Sequence, residues 1–124
     1  MILRTATARD LDALTAVEAA CFPAAEAATR EELAERLRAY GDHFWLLFDG
    51  ETLVSFVDGM VTDLPDLTDE MYADTSFHDE NGAWQMIFGV NTLPAYRKQG
   101  FAGRLLERAI ADAKAQGRKG LVLT

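Results

Sequence analysis

The chain has 124 residues, 49% of them apolar and 26% charged, with a formal net charge of −8 and a single cysteine, Cys21. No run approaches the roughly 18 apolar residues of a membrane-spanning helix, and the acidic balance argues against nonspecific nucleic-acid binding. One cysteine excludes an intrachain disulfide and a multi-cysteine metal centre, and no metal site is expected. The length suits one domain, residues 1–124, and the N-terminus lacks the charged-then-apolar layout of a secretory signal, so a cytoplasmic location is expected.

Residues 2–5 read as a first strand, and Thr7 with Asp10 forms a weak capping box for a helix over residues 8–20, with Leu11, Leu14 and Val17 at helical spacing. Phe22-Pro23 ends it. Thr29 and Glu32 make a full capping box for a second helix, whose inner face is Leu33, Leu37 and Tyr40 and which Gly41 closes. Residues 43–48 form a dense apolar strand, Asp49-Gly50 predicts a type I′ hairpin, and residues 52–61 return. Residues 62–82 are polar and without period, the kind of long segment that is functional or disordered. A strand over residues 84–91 leads to a third helix over residues 100–116, with Leu105, Leu106, Ala109, Ile110 and Ala113 inward and Gly117 as C-cap. A last strand starts at Gly120 and runs to Thr124. The order β-α-α-β-β-β-α-β is a mixed sheet with helices on its faces, an α/β class in which the strands flanking the third helix are parallel neighbours.

Charge is distributed unevenly along this order. Residues 1–40 balance at −2, residues 41–83 at −11 with no Lys or Arg, and residues 84–124 at +5. The middle suits a cation and the end suits an anion, although a solvated acidic surface accounts for most of the middle. The stretch PAYRKQGFAGRLLERA concentrates the positive end at a helix start. A helix N-terminus presents unpaired N–H groups and about half a positive charge. Gly100, Ala102 and Gly103 keep the approach to those groups open, while Arg97, Lys98 and Arg104 add full charges. The expected result is an anion site. The spacing matches neither the dinucleotide fingerprint GxGxxG nor the P-loop. The plain alternative is a basic surface loop capping a helix.

Arg97-Lys98-Gln99-Gly100-Phe101-Ala102 fits [Gln/Arg]-x-x-Gly-x-[Gly/Ala], and so resembles the acetyl-CoA pyrophosphate loop of the GNAT superfamily of N-acetyltransferases. Within that superfamily, Cys21-Phe22-Pro23, the strand at residues 53–59 and FGVNTLPAYRKQGFAGRLL resemble bacterial relatives of the aralkylamine (serotonin-type) enzymes. The resemblance implies the GNAT acyl-CoA N-acyltransferase fold, truncated after the strand that follows the third helix. It implies that backbone groups of Phe88, Gly89 and Val90 hold the pantetheine arm. The N–H groups of Gln99, Gly100, Phe101, Ala102 and Gly103 would then hold the pyrophosphate, with Arg97 and Lys98 helping. Acetyl-CoA is the implied co-substrate, and a small primary amine the acceptor, attacking the thioester directly.

The two strand histidines of serotonin-type enzymes fall here at Trp84 and Met86. His78, Glu80 and Asp58 are the candidates for proton transfer in their place, each against the alternative of a solvated loop or edge residue. His43 and Cys21 read as structural. A protein or peptide N-acetyltransferase, a noncatalytic CoA-binding module and an interaction domain stand as alternatives. A homodimer that completes the sheet is among the assemblies left open.

Overall fold

The computed structural model describes residues 1–123, so the predicted strand residue Thr124 lies outside the described residues. The chain runs β1 (Ile2–Thr5), α1 (Leu11–Cys21), α2 (Arg30–Tyr40), β2 (Phe44–Asp49), β3 (Thr52–Asp58), β4 (Val61–Thr62), α3 (Asp69–Ala73), β5 (Trp84–Met86), β6 (Gly89–Thr92), α4 (Phe101–Ala115) and β7 (Gly120–Val122). The mixed α/β architecture is present, but the strands form two sheets. One is antiparallel throughout, in the order β1-β2-β3-β6; the other, β4-β5-β7, pairs β4 with β5 antiparallel and β5 with β7 parallel.

Alternation along β2 explains the two cores. Phe44 and Leu46 point to one face, where they pack with Leu14, Val17, Leu33 and Tyr40 of α1 and α2. Trp45 and Leu47 point to the other, against Leu105 and Ala109 of α4. Both faces are covered, so the strand reads as a continuous apolar run. Trp45 Nε1–H also donates to Asp112 Oδ2 at 2.8 Å, tying α4 to the sheet. The inner stripe of α4 is narrower than expected: Leu105, Ala109 and Ala113 are buried, Leu106 is half-buried, and Ile110 is 52% exposed. Spacing of four residues keeps the three buried positions in line, whereas Ile110 is turned about 100° from Ala109.

Three local expectations are corrected. The β2–β3 hairpin exists, but Asp49 pairs with Thr52, which makes Gly50-Glu51 the central pair. Gly50 has φ +60° and Glu51 does not share the left-handed region, the pattern of a type II′ rather than a type I′ turn. The stretch at residues 62–82 contains α3, whose Met71 is fully buried, with Leu67 and Phe77 packed against the same core. The strand at residues 84–91 is two strands. Ile87 N–H donates to Val122 O and the next residue, Phe88, donates to Asp58 O at 2.7 Å, so the backbone changes sheets between them. At the α4 C-terminus, Arg118 N–H bonds Ala113 O and Gly117 N–H bonds Lys114 O with Gly117 at φ +78°, a Schellman cap as Gly117 predicted. No helix of the described residues is long and apolar enough to cross a membrane.

Candidate active site

Two cavities with opposite chemistry adjoin the start of β6. The first, of about 400 Å³, lies at the start of α4. After β6 the chain reverses through Lys98 at φ +64° and Gly100 at φ +80°, and Lys98 is the only non-glycine residue with positive φ among the described residues. A left-handed non-glycine residue costs about 1–2 kcal/mol, so the turn is held against its local preference. The two helix starts differ in how they treat their open N–H groups. Helix α2 closes its own: Thr29 Oγ1 accepts from Glu32 N–H and Glu32 Oε1 accepts from Thr29 N–H. Helix α4 has no side-chain cap and no acidic residue in its first turn. Its first backbone bond is Arg104 N–H to Gly100 O at 3.1 Å, which leaves Phe101, Ala102 and Gly103 presenting N–H groups to the cavity.

Glycine here is not required by packing. A β-carbon at Gly100 or Gly103 would meet nothing within 4 Å. The cavity lining includes Arg97 and Lys98 and, among the described residues, no carboxylate. Arg97 is anchored by its Nε–H, which donates to Thr92 O at 3.0 Å. Cys21 Sγ–H donates to the same oxygen at 3.3 Å, a structural contact. Leu93 N–H points back to Val54 O, so antiparallel alternation turns the backbone polar groups of Val90 and Thr92 to the free edge of β6, toward the cavity. The arrangement suits a phosphorylated ligand with an extended arm lying along that edge. Phe88 N–H is already taken by Asp58 O, so Val90 offers the freer backbone group of the pair.

The second cavity, of about 360 Å³, is acidic. Glu18, Glu26, Glu32 and Asp58 line it with one cation, Arg36, and with Phe22, Tyr72 and Phe88. Asp58 is 1% exposed, and its Oδ2 accepts from Arg36 Nη1 at 3.3 Å. Burial pushes the Asp58 carboxyl up to about 6; Arg36 opposes this, and Glu18 adds to it. Burial also disfavours the Arg36 charge, but Asp58 and the neighbouring Tyr40, Glu18 and Glu32 outweigh it and hold the guanidinium charged. Arg36 lies 5.4 Å above the Phe88 ring and donates through Nη2 to Tyr72 O. The two cavities share Phe22 and meet along Phe88, Gly89 and Val90.

Close backbone approach builds this junction. A β-carbon on Gly59 would stand 1.8 Å from Met86 O, so only glycine fits there. Gln85, fully buried, donates through Nε2 to Gly59 O and Met86 O, both at 2.8 Å, and so ties the two close-approaching segments together.

Of the three predicted proton-transfer residues, Asp58 alone lines this cavity. His78 and Glu80 belong to a clasp elsewhere. Val61 N–H donates to His78 Nδ1, so the His78 proton is on Nε2 and is given to Glu80 Oε1 at 3.0 Å. His43 Nε2 lies 2.9 Å from Glu80 Oε2, and Arg118 contacts the same oxygen at 3.1 Å. Arg118 also donates to Glu80 O and Gly82 O. Burial opposes ionisation of Glu80, but the two histidines outweigh it and hold the carboxyl below its ordinary range. The side-chain atoms of His43, His78 and Glu80 lie within 4.8 Å of one another, a spacing that could hold a metal ion. The acceptor role of His78 Nδ1 directs an N–H, rather than a lone pair, into that space.

The sequence reading missed Arg36 and Glu18. Both carried a signal. Arg36 stands three residues after Leu33, and Glu18 four after Leu14, so each is a charge on the apolar stripe of its helix. Both are at least nine-tenths buried.

The model of the acetyltransferase (GNAT) family matches residues 11–124. No curated protein sequence matches the chain. Among solved structures, the GNAT-like decarboxylase GphF in complex with isobutyryl-CoA is similar at 32% identity and a TM-score of 0.80, over 90% of this chain and 58% of that one. The loading GNATL domain of CurA from Lyngbya majuscula is similar at 25% identity and a TM-score of 0.80, over 90% and 57%. A GNAT acetyltransferase from Brucella melitensis in complex with acetyl-CoA shares the fold at 16% identity and a TM-score of 0.64, over 97% and 72%. The chain therefore spans under three fifths of the GphF and CurA chains it matches.

Proposed function

The chain belongs to the acetyltransferase (GNAT) family, and from that premise we propose that it transfers an acetyl group from acetyl-CoA to the primary amine of a small molecule, with Asp58 as the base. The observation that carries this reading is the meeting of a basic, uncapped helix start and an acidic cavity at one point of the backbone. The open N–H groups, the absence of a side chain at Gly100 and Gly103, and Arg97 and Lys98 fit a diphosphate. The free edge of β6 at Val90 and Thr92 would receive the pantetheine arm, which brings the thioester to Phe88 and Gly89. The Brucella melitensis relative in complex with acetyl-CoA supports that ligand class.

An alkylamine arrives mostly protonated, since its pKa is near ~10.4. Four carboxylates around the second cavity attract that cation, and its aromatic wall suits an apolar body. The ammonium loses one proton to solvent on binding, and Asp58, ionised above about 6, takes the second from the neutral nitrogen as it attacks. The lone pair then forms the N–C bond to the acyl carbon, the C–S bond breaks, and the thiolate leaves along the β6 edge to be protonated by solvent. The aralkylamine class is the finer form of this proposal, supported by the aromatic lining and by the resemblance at residues 88–106.

A second reading rests on Arg36, whose Nε is buried without a partner beside the same cavity. A guanidinium there suits the carboxylate of a carboxyacyl thioester, and GphF is a GNAT-like decarboxylase. Four acids against one cation favour the amine. Thiol release from acetyl-CoA is the discriminating measurement, run with arylalkylamines, polyamines and N-terminal peptides, beside carbon dioxide release from carboxyacyl-CoA without amine. Amine-dependent thiol release is expected. Carbon dioxide release alone would establish the second reading, and coenzyme A binding with neither product would leave only a binding module.

A further inference from the structure

Helix α1 ends against β6. Glu18 Oε1 accepts from Asn91 Nδ2–H at 2.7 Å, and Cys21 Sγ–H donates to Thr92 O at 3.3 Å. Cys21 and Phe22 stand three and four residues after Glu18, so all three share one helix face. Phe22 is the C-cap of the helix: its N–H donates to Glu18 O, and its backbone is extended at φ −132° and ψ 148°. Pro23 stops the helix, and the N–H groups of Glu26 and Ala27 both donate to Pro23 O at 2.9 Å. Phe22 is thus fixed from both sides, beside the β6 edge.

Packing does not account for a phenylalanine there. Large aromatic side chains ordinarily serve a core. Among the described residues, half-buried Phe22 belongs to neither apolar core and pairs with no other ring. It is instead the one described residue that lines both the basic and the acidic cavity.

We propose that Phe22 sets the length of acyl group that the chain accepts, by narrowing the passage from the thioester at the β6 edge into the acidic cavity. The inference rests on the donor half of the reading above, the binding of acetyl-CoA, and involves no amine. An acetyl group ends at the junction of the cavities. A longer acyl chain runs on into the Phe22 ring, and one methylene that an apolar site does not fit is worth about 10- to 200-fold.

The test is calorimetric titration with coenzyme A, acetyl-CoA and hexanoyl-CoA, in wild type, Phe22→Ala and Phe22→Leu. Coenzyme A carries no acyl group, so each thioester is read as its affinity relative to coenzyme A in the same variant. In the wild type, hexanoyl-CoA is expected to bind at least about tenfold more weakly than acetyl-CoA. The difference is expected to fall to within about twofold in Phe22→Ala and to an intermediate value in Phe22→Leu. Because Phe22 joins neither core, both variants are expected to fold, and Phe22→Leu gives the same readout should Phe22→Ala fail to. A wild type that binds both thioesters alike, or a difference that persists unchanged in the variants, would overturn the role of Phe22 and leave coenzyme A binding standing. No binding of coenzyme A or of either thioester by the wild type would overturn the inference and the donor half of the reading together. The expected titrations without amine-dependent thiol release would support Phe22 as the acyl wall and overturn the amine reading alone.

Discussion

Gly103→Asp is expected to raise the melting temperature by a few degrees and to weaken coenzyme A binding at least a hundredfold. Gly103 is the third residue of α4 after its left-handed cap at Gly100. That position favours an acidic side chain, worth about 0.3–1 kcal/mol through the helix dipole. Replacing a helical glycine by aspartate adds about 0.3 kcal/mol, since aspartate ranks just above glycine in helix propensity. The new β-carbon meets nothing within 4 Å, so no packing opposes the gain. The same carboxylate would stand at the proposed diphosphate site. Two unit charges 4 Å apart repel by about 4 kcal/mol at an effective dielectric of 20, enough to exceed a hundredfold in affinity. A thermal melt with calorimetric titration of coenzyme A reads both effects. Opposite signs for stability and binding mark a residue kept for its ligand. A destabilised protein with unchanged affinity would mean that Gly103 serves the fold.

Asp58→Asn is expected to lower kcat/KM for the amine by about 10²- to 10⁴-fold, the usual contribution of a general base. Coenzyme A affinity is expected to stay within about threefold, because Asp58 lines the acidic cavity and not the basic one. The pH profile separates a base from a structural acid. Asp58 acts only when ionised, so activity rises with pH through about 6 in the wild type. In Asp58→Asn this limb disappears. Glu80→Gln is expected to retain it, since Glu80 serves the clasp with His43, His78 and Arg118. Stability carries the opposite slope. With its carboxyl raised above the ordinary value of 3.8, folded Asp58 holds its proton where the unfolded chain has lost it. Stability therefore falls as pH rises from about 4 to about 6 and levels off above. A profile with no inflection near 6, or one that survives in Asp58→Asn, would remove Asp58 from the reaction.

The basic half of the site was legible because its information is local. Arg97, Lys98, Gly100 and Gly103 lie close together in sequence, and the rules of helix ends act over that same short range. The Thr29–Glu32 capping box and the Gly117 cap were legible for the same reason. The acidic half was not, because it is assembled from residues far apart in sequence. Glu18 reaches Asn91 across 73 positions and Arg36 reaches Asp58 across 22. The change of sheets after Ile87 was also hidden: residues 84–91 keep a strand pattern on both sides, and periodicity reports which face is buried but not which strand is the neighbour. Proximity in sequence also misled. His78 and Glu80 precede β5 closely, yet the hydrogen bond from Val61 to His78 turns them into the clasp.

The central claim is that coenzyme A is gripped by the open amides of α4 and laid along the β6 edge toward Asp58. Titrating isotopically labelled protein with coenzyme A and following each backbone amide by NMR tests it most directly. The expected result is saturable shifts that are largest at Gln99, Gly100, Phe101, Ala102 and Gly103 and extend to Val90 and Thr92. Shifts centred instead on Glu26, Glu32 and Tyr72, or on His43 and Glu80, with the α4 amides unmoved, would contradict it.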